Sequence, residues 1–418
     1  DNGPSDILVS GGTIAENSAG GAVVATLSAV DADTGESFSY SLAGTDAASF
    51  VVVGNEIRVA PGAVLDFEAG GSRTFDLTVT DAAGHTRTET VTVNLTDVND
   101  NGPSDILVSG GTIAENSAGG AVVATLSAVD ADTGESFSYS LAGTDAASFV
   151  VVGNEIRVAP GAVLDFEAGG SRTFDLTVTD AAGHTRTETV TVNLTDVNDN
   201  GPSDIVVTGG TISENSAGGT VVATLSTLDA DTGETFTYSL AGTDAGLFTV
   251  VGNEIRVAPG AVLDFEAGGT RTFDLTVTDA AGHTRTETVT VNLTDVNDNG
   301  PSDIVVTGGT ISENSAGGTV VATLSTVDAD TGETFTYSLA GTDAGLFTVV
   351  GNEIRVAPGA VLDFEAGGTR TFDLTVTDAA GHSRTETVTV DLTDVNDNGP
   401  SDILVSGGTI AENSAGGT

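Results

Sequence analysis

Polar and apolar residues alternate along most of the chain with a period of two, the spacing of a half-buried β-strand, and helical 3.6-residue spacing is absent. "TFDLTVTD" places Phe75, Leu77 and Val79 on one face, with Thr and Asp on the other. "TETVTVNLTD" does the same with Val91, Val93 and Leu95, and "FSYSL" with Phe38, Tyr40 and Leu42. "FVVVGNEIRV" reads as two short strands around a Gly54-Asn55 hairpin turn. "ILVSGGTIAEN" and "AVVATLSAVDAD" supply two further strands, the first interrupted by Gly11-Gly12 as a bulge or switch point. "DAAGH", Asp81 to His85, is a tight turn between the last two long strands. About seven short strands separated by turn signals predict an all-β fold, a seven-stranded Greek-key sandwich of immunoglobulin-like type.

The same wording returns every 99 residues, giving four complete units and a 22-residue start of a fifth. The expected domains are 1–99, 100–198, 199–297 and 298–396, with 397–418 an incomplete fifth repeat. The first two units are identical; the next two differ at scattered positions, such as Ala114 against Ser213 and Val150 against Thr249. Tandem sandwiches on five-residue linkers predict a linear rod, at roughly 40 Å per repeat and about 160 Å for four, from strands rising about 3.3 Å per residue. The chain opens on Asp-Asn, the tail of its own linker motif, as an interior segment of a longer protein would.

Charge adds a constraint that the strand pattern does not. There are 60 acidic residues against 12 basic ones, all Arg, for a net charge of −48. With 39% hydrophobic and only 17% charged residues, the chain is still not a disordered acidic polymer. Such a surface repels nucleic acid and anionic lipid. No apolar run approaches the roughly 18 residues of a membrane-spanning helix, so no insertion into a membrane is expected. Catalysis is not expected either: there is no cysteine and no Gly-x-Ser-x-Gly. His85, His184, His283 and His382 each stand alone on a turn, too few for a zinc site. Arg58, Arg73 and Arg87 read as exposed strand residues pairing with nearby acids.

The remaining acids are clustered. Each unit carries Glu16-Asn17, "DAD" (Asp31, Asp33), "DFE" (Asp66, Glu68), Asp81 before its turn, and "DVNDN" from Asp97 to Asn101, or their equivalents. On extended chain, Asp-x-Asp and Asp-x-Glu send both carboxylates to one face. Hard cations of the calcium type take six to eight oxygens from carboxylates, Asn side chains and carbonyls. Eight carboxylates per junction repel by roughly 14 kcal/mol before salt screening, at about 0.5 kcal/mol for a pair about 8 Å apart in water. Without cations such a junction splays.

Glu-Asn, Asp-x-Asp, Asp-Phe-Glu, "VTDAAG" and Asp-x-Asn-Asp-Asn-x-Pro, in that order over the whole chain, resemble the extracellular cadherin repeat. The resemblance implies Ca2+ between successive repeats, three ions per complete junction. At the first junction it implies Glu16, Asp66 and Glu68 from the upper repeat. The linker would give Asp97, Asn99, Asp100 and the carbonyls of Val98 and Asn101, and the lower repeat Asp130, Asp132 and Asp180. At the second it implies Glu115, Asp165, Glu167, Asp196, Val197, Asn198, Asp199, Asn200, Asp229, Asp231 and Asp279. The third set is Glu214, Asp264, Glu266, Asp295, Val296, Asn297, Asp298, Asn299, Asp328, Asp330 and Asp378. The fourth, Glu313, Asp363, Glu365, Asp394, Asn396 and Asp397, is expected to be incomplete, since its lower-repeat ligands fall after Thr418.

There is no Trp, so the strand-exchange adhesion of animal cadherins is not implied, and the segment after "DAD" is short. Near-identical repeats without Lys or Cys resemble the cadherin-like arrays of giant secreted adhesins and surface fibres of Gram-negative bacteria. The expected role is a calcium-rigidified extender of an extracellular stalk or fibre, serving adhesion or biofilm architecture. Its partners would be calcium, the neighbouring repeats and, laterally, copies of itself. The alternative is a binding module for polysaccharide or for such lateral self-association, although aromatics are only 5% and the four Tyr lie at alternating, core-facing positions.

Overall fold

The structure is a computed structural model that describes residues 2–409 and 412. The other residues of the expected fifth repeat lie outside the described residues. The chain divides into two compact units, residues 1–199 and 200–418. Among the described residues no helix is long and apolar enough to cross a membrane.

In the first repeat the strands are β1 (Asp6–Gly11), β2 (Thr13–Ala15), β3 (Val23–Val30), β4 (Ser39–Ala43), β5 (Phe50–Val53), β6 (Glu56–Val59), β7 (Ser72–Thr80) and β8 (Thr86–Thr96). A single 3-10 turn, Ala47–Ser49, precedes β5. Two four-stranded sheets result, in the orders β1-β3-β6-β5 and β2-β8-β7-β4. The same set recurs from Asp105 to Thr195, from Asp204 to Thr294 and from Asp303 to Thr393. The architecture is the expected immunoglobulin-like sandwich in tandem, with eight strands where the alternation predicts seven.

The extra strand comes from the glycine pair. Gly11 and Gly12 have φ of 116° and 101°, a region closed to residues with a side chain. A Cβ on Gly11 would lie 2.7 Å from the Val24 carbonyl oxygen. The pair moves the chain from one sheet to the other: β1 pairs antiparallel with β3, and β2 runs parallel to β8. At the predicted hairpin, Val53 faces Glu56 across Gly54-Asn55, with positive φ only at Gly54 (63°), the type II′ pattern.

The core follows the alternation. Ile57, Val59, Leu65, Leu77, Val79 and Val93 have no exposed surface, and the Phe50 and Phe75 rings pack at a tilt of 44° with centroids 5.1 Å apart. Strand β3 departs from strict alternation, with Val24 and Ala25 both buried; a register shift opposite β6 accommodates the extra residue as a bulge. Tyr40 is half-buried and packs on this core rather than being displayed on the surface.

Candidate cation junction

In the first unit the acidic motifs converge where β8 runs out into the linker. Glu16 follows β2 directly and is 3% exposed. One of its carboxylate oxygens accepts the Phe67 amide at 2.7 Å, and the other accepts the Val98 amide at 2.8 Å. A single buried carboxylate thus ties the Asp66–Glu68 loop to the linker, and Glu115, Glu214 and Glu313 repeat both bonds. Asp66 accepts the Ala69 amide at 2.8 Å, as Asp165, Asp264 and Asp363 do in their own loops. Oxygens of Glu16, Asp66 and Glu68 all lie within 4.8 Å of one another, and so do those of Glu68, Asp100 and Asp132, linking the two repeats of this unit. Glu115, Asp165 and Glu167 form the matching upper group. Desolvation, with the charges of Glu16, Asp132 and Asp97, raises the Glu68 carboxyl above its ordinary pKa.

The second repeat meets the linker with its own acids. The buried Asp132 carboxylate accepts the Asp100 amide at 3.1 Å, and the Asn101 amide and side-chain amide at 2.9 Å each. Asp97 accepts the Thr133 amide at 2.6 Å and its hydroxyl at 2.5 Å, and these bonds lower its pKa. Asp130 accepts the Asp132 amide at 3.3 Å. Asp180 is used differently: it accepts the Gly183 and His184 amides at 2.6 and 2.8 Å and His184 Nδ1 at 2.8 Å. Burial works to raise this carboxyl, but the His184 ring and the two amides outweigh it and hold the pKa low.

The second unit repeats these arrangements around its complete junction. Asp295 accepts from Thr331, Asp330 from Asn299, and Asp378 from Gly381 and His382. Asp328 accepts the Asp330 amide. Oxygens of Glu214, Glu266 and Asp295 fall within 4.8 Å of one another, and the linker's Asp298 accepts from Asn215. Val296, like Val98, places its amide on the upper glutamate.

The second linker divides between the units. Val197 and Asp199 bond Glu115 and Asn116 in the first. Asn200 bonds Asp231 in the second, where Asp229 accepts the Asp231 amide and Asp279 the Gly282 and His283 amides. Asp196 and Asn198 sit half-buried at the end of the first unit. At the fourth linker Glu313 and Asn314 hold Val395 and Asp397, while Asp394, Asn396 and Asp397 are exposed. Glu365 has a raised pKa: its own backbone amide works to lower it, and desolvation with the Glu313 and Asp397 charges overcomes that.

A hard cation has a distinct chemical signature here. Asp97 Oδ1, Asn99 Oδ1 and Asp130 Oδ2 are buried without a hydrogen-bond partner, and Asp295 Oδ1, Asn297 Oδ1 and Asp328 Oδ2 repeat the set. Buried polar atoms are nearly always partnered, and every one of these is an acceptor oxygen. Such an oxygen-only set fits calcium and offers nothing to a soft metal.

A model of the Cadherin domain matches residues 209–294 and 308–393. The matched repeats share strand register and acidic motifs with the two before them. The chain carries cadherin domains in tandem. Protocadherin Fat 1 of Homo sapiens is 30% identical over 414 residues, spanning 93% of this chain and 9% of that protein. Cadherin-related family member 1 of Gallus gallus is 29% identical over 442 residues, spanning 93% and 50%. The chain therefore covers half or less of these curated relatives. In fold it resembles the protocadherin gammaB7 EC3-6 cis-dimer structure (24% identity, TM-score 0.55, 93% of this chain and 100% of that one). It also resembles the protocadherin GammaB4 extracellular domain (24%, 0.54, 94% and 68%). Cadherin repeats in general bind Ca2+ at their junctions, and the families that carry them are adhesion proteins rather than enzymes.

Several residues of this cadherin array act at the junction although the sequence reading gives them no role there. Asn17, in the left-handed region at φ 55°, donates its side-chain amide to Asp100. Asn99 donates to Glu135, an acid outside the quoted motifs. His184 does not stand alone but caps Asp180. The largest correction concerns arginine. Arg58 and Arg87 pair with Glu56 and Glu89 as expected, whereas the hydrogen bonds of Arg73 go to backbone carbonyls, and its counterparts Arg271 and Arg370 are buried, each 8% exposed.

Proposed function

We propose that this array is a calcium-rigidified extender of an extracellular adhesin stalk or fibre, with about three Ca2+ ions bound at each complete junction. The buried, unpartnered oxygens of Asp97, Asn99 and Asp130 carry the proposal, because the protein leaves acceptors without donors at the place where its acids crowd. Glu16, Asp66, Glu68, Asp97, Asn99, Asp100, Asp130, Asp132 and Asp180, with the carbonyls of Val98 and Asn101, would hold the ions at the first junction. The corresponding residues would do so at the second and third. Bound ions supply positive charge against eight carboxylates and turn mutual repulsion into a cross-link between repeats.

Near-identical repeats suit a spacer better than a set of distinct recognition surfaces, and with the absence of Lys and Cys they support a bacterial surface fibre as its setting. Extracellular modules of this type bind calcium at roughly 10⁻⁴ to 10⁻³ M, so stiffness would develop outside the cell. Small-angle scattering with and without millimolar calcium tests the proposal. The maximum dimension is expected to sharpen near the about 160 Å of four end-to-end repeats and to broaden with chelator. An unchanged profile would refute it.

A further inference from the structure

Each repeat has three arginines, and one of them is placed unlike the other two. Arg58 and Arg87 lie across strand faces against Glu56 and Glu89. Arg73 is the second residue of β7, immediately after the loop that delivers Asp66 and Glu68. Its Nη2 donates to the Asp66 carbonyl at 2.8 Å, and its Nη1 to the carbonyls of Gly70 and Ser72 at 2.5 and 3.1 Å. Arg172 makes the same three bonds at 2.8, 2.5 and 3.0 Å. Arg370 bonds Asp363, Gly367 and Thr369 at 2.6, 2.5 and 2.8 Å. Arg271 bonds Asp264 and Thr270 at 2.5 and 2.9 Å, and Gly268 as well. Gly70 leaves room for the contact, since a Cβ there would come within 3.4 Å of Arg73 Nη1.

This geometry constrains the acidic loop at both ends. The carbonyls of Asp66 and Gly70 bracket Phe67, Glu68 and Ala69, and one rigid planar fork holds both. On the far side of the bracket, Glu16 holds the Phe67 amide. The loop backbone is thus clamped between a buried carboxylate and a guanidinium, and the Asp66 carboxylate is held in turn by the Ala69 amide. A lysine would bring the same charge as a single point and could not span the bracket.

We propose that Arg73, Arg172, Arg271 and Arg370 are positioning residues of the cation junctions, fixing the Asp-Phe-Glu loop so that its carboxylates arrive already spaced for an ion. This rests on the cation reading of the junctions above. Groups that orient metal ligands without touching the metal typically account for about 10- to 100-fold in metal affinity.

The test uses the full chain in three substituted forms: Arg→Lys at all four positions, Arg→Met at the same four, and Arg→Met at Arg58, Arg157, Arg256 and Arg355. The last form changes net charge as the second does but leaves the loop untouched. Calcium binding by titration calorimetry is read beside thermal unfolding in chelator. Both loop-facing forms are expected to bind calcium about tenfold more weakly, with the strand-face arginine control close to the unsubstituted chain. If Arg→Met prevents folding, Arg→Lys decides, because it keeps the charge and most of the stem. A Lys form that unfolds earlier in chelator yet binds calcium with unchanged affinity shows a purely structural arginine and overturns the inference. Equal weakening in the control also overturns it, since net charge then explains the effect. Absence of calcium uptake by the unsubstituted chain would instead remove the junction reading and this inference with it.

Discussion

Within one repeat, the interior around Phe174 and the acidic end around Glu115 bury side chains by opposite means. Phe174, Leu176 and Val178 are 2% exposed or less and pack in the apolar cluster, so exclusion from water is what buries their side chains. Glu115 is 3% exposed and charged; it is held there by the Phe166 and Val197 amides. Around Glu16, its identical counterpart, the neighbouring Asp97 and Asn99 still keep unpartnered buried oxygens. The interior is complete as folded, whereas the acidic end is, on the proposed reading, completed by a cation. Sheet and junction should therefore respond separately to calcium.

The largest effect expected is in the interior. Phe174→Ala should cost about 3–5 kcal/mol and lower the unfolding transition of its repeat equally in calcium and in chelator, as followed by calorimetry. Calcium rescue of that loss would break the comparison. Glu115→Ala comes next: it strands two amides, at about 1–3 kcal/mol. Its deficit should widen when calcium is added, because the acidic group loses its most buried carboxylate. A Thr133→Val change is smaller, about 1 kcal/mol, since the amide bond to Asp97 survives. The Asp97 carboxyl should then titrate closer to its ordinary value, which carboxyl NMR in chelator would record.

The smallest effect is with pH. The Asp180 and Asp279 hydrogen bonds raise the pKa of His184 and His283. A raised histidine contributes stability that is full below its unfolded value of about 6.5 and is lost as pH rises through the folded value. In chelator, melting temperature should fall slightly from pH 6 to pH 8. Replacing these two histidines, His184→Gln and His283→Gln, should flatten that slope.

The sandwich and the acidic motifs were legible in sequence because both depend on local periodicity. Period two sets which side chains face inward, and it also sets which carboxylates share a face. The Gly11-Gly12 break was visible, but the eighth strand was not, because whether a break is a bulge or a change of sheet depends on which strand waits on the other side. Arg73 was misread for a related reason. By alternation it shares the inward face of Phe75, Leu77 and Val79, but its charge reads as exposure, and only the return of the preceding loop brings the Asp66 and Gly70 carbonyls to its guanidinium. His184 and Glu135 were likewise undervalued, since their partners lie four residues away across a turn and in the preceding linker.

The glycine switch also has a mechanical consequence. Tension along the chain enters a repeat through β1 and β2 and leaves through β8. Because β2 and β8 run parallel, registered at Thr13 with Asn94, Ile14 with Leu95 and Ala15 with Thr96, pulling the two ends apart drives those strands past each other lengthwise. Their hydrogen bonds are loaded together in shear instead of being unzipped in turn, so each repeat carries a small force-bearing clasp between its first and last strands.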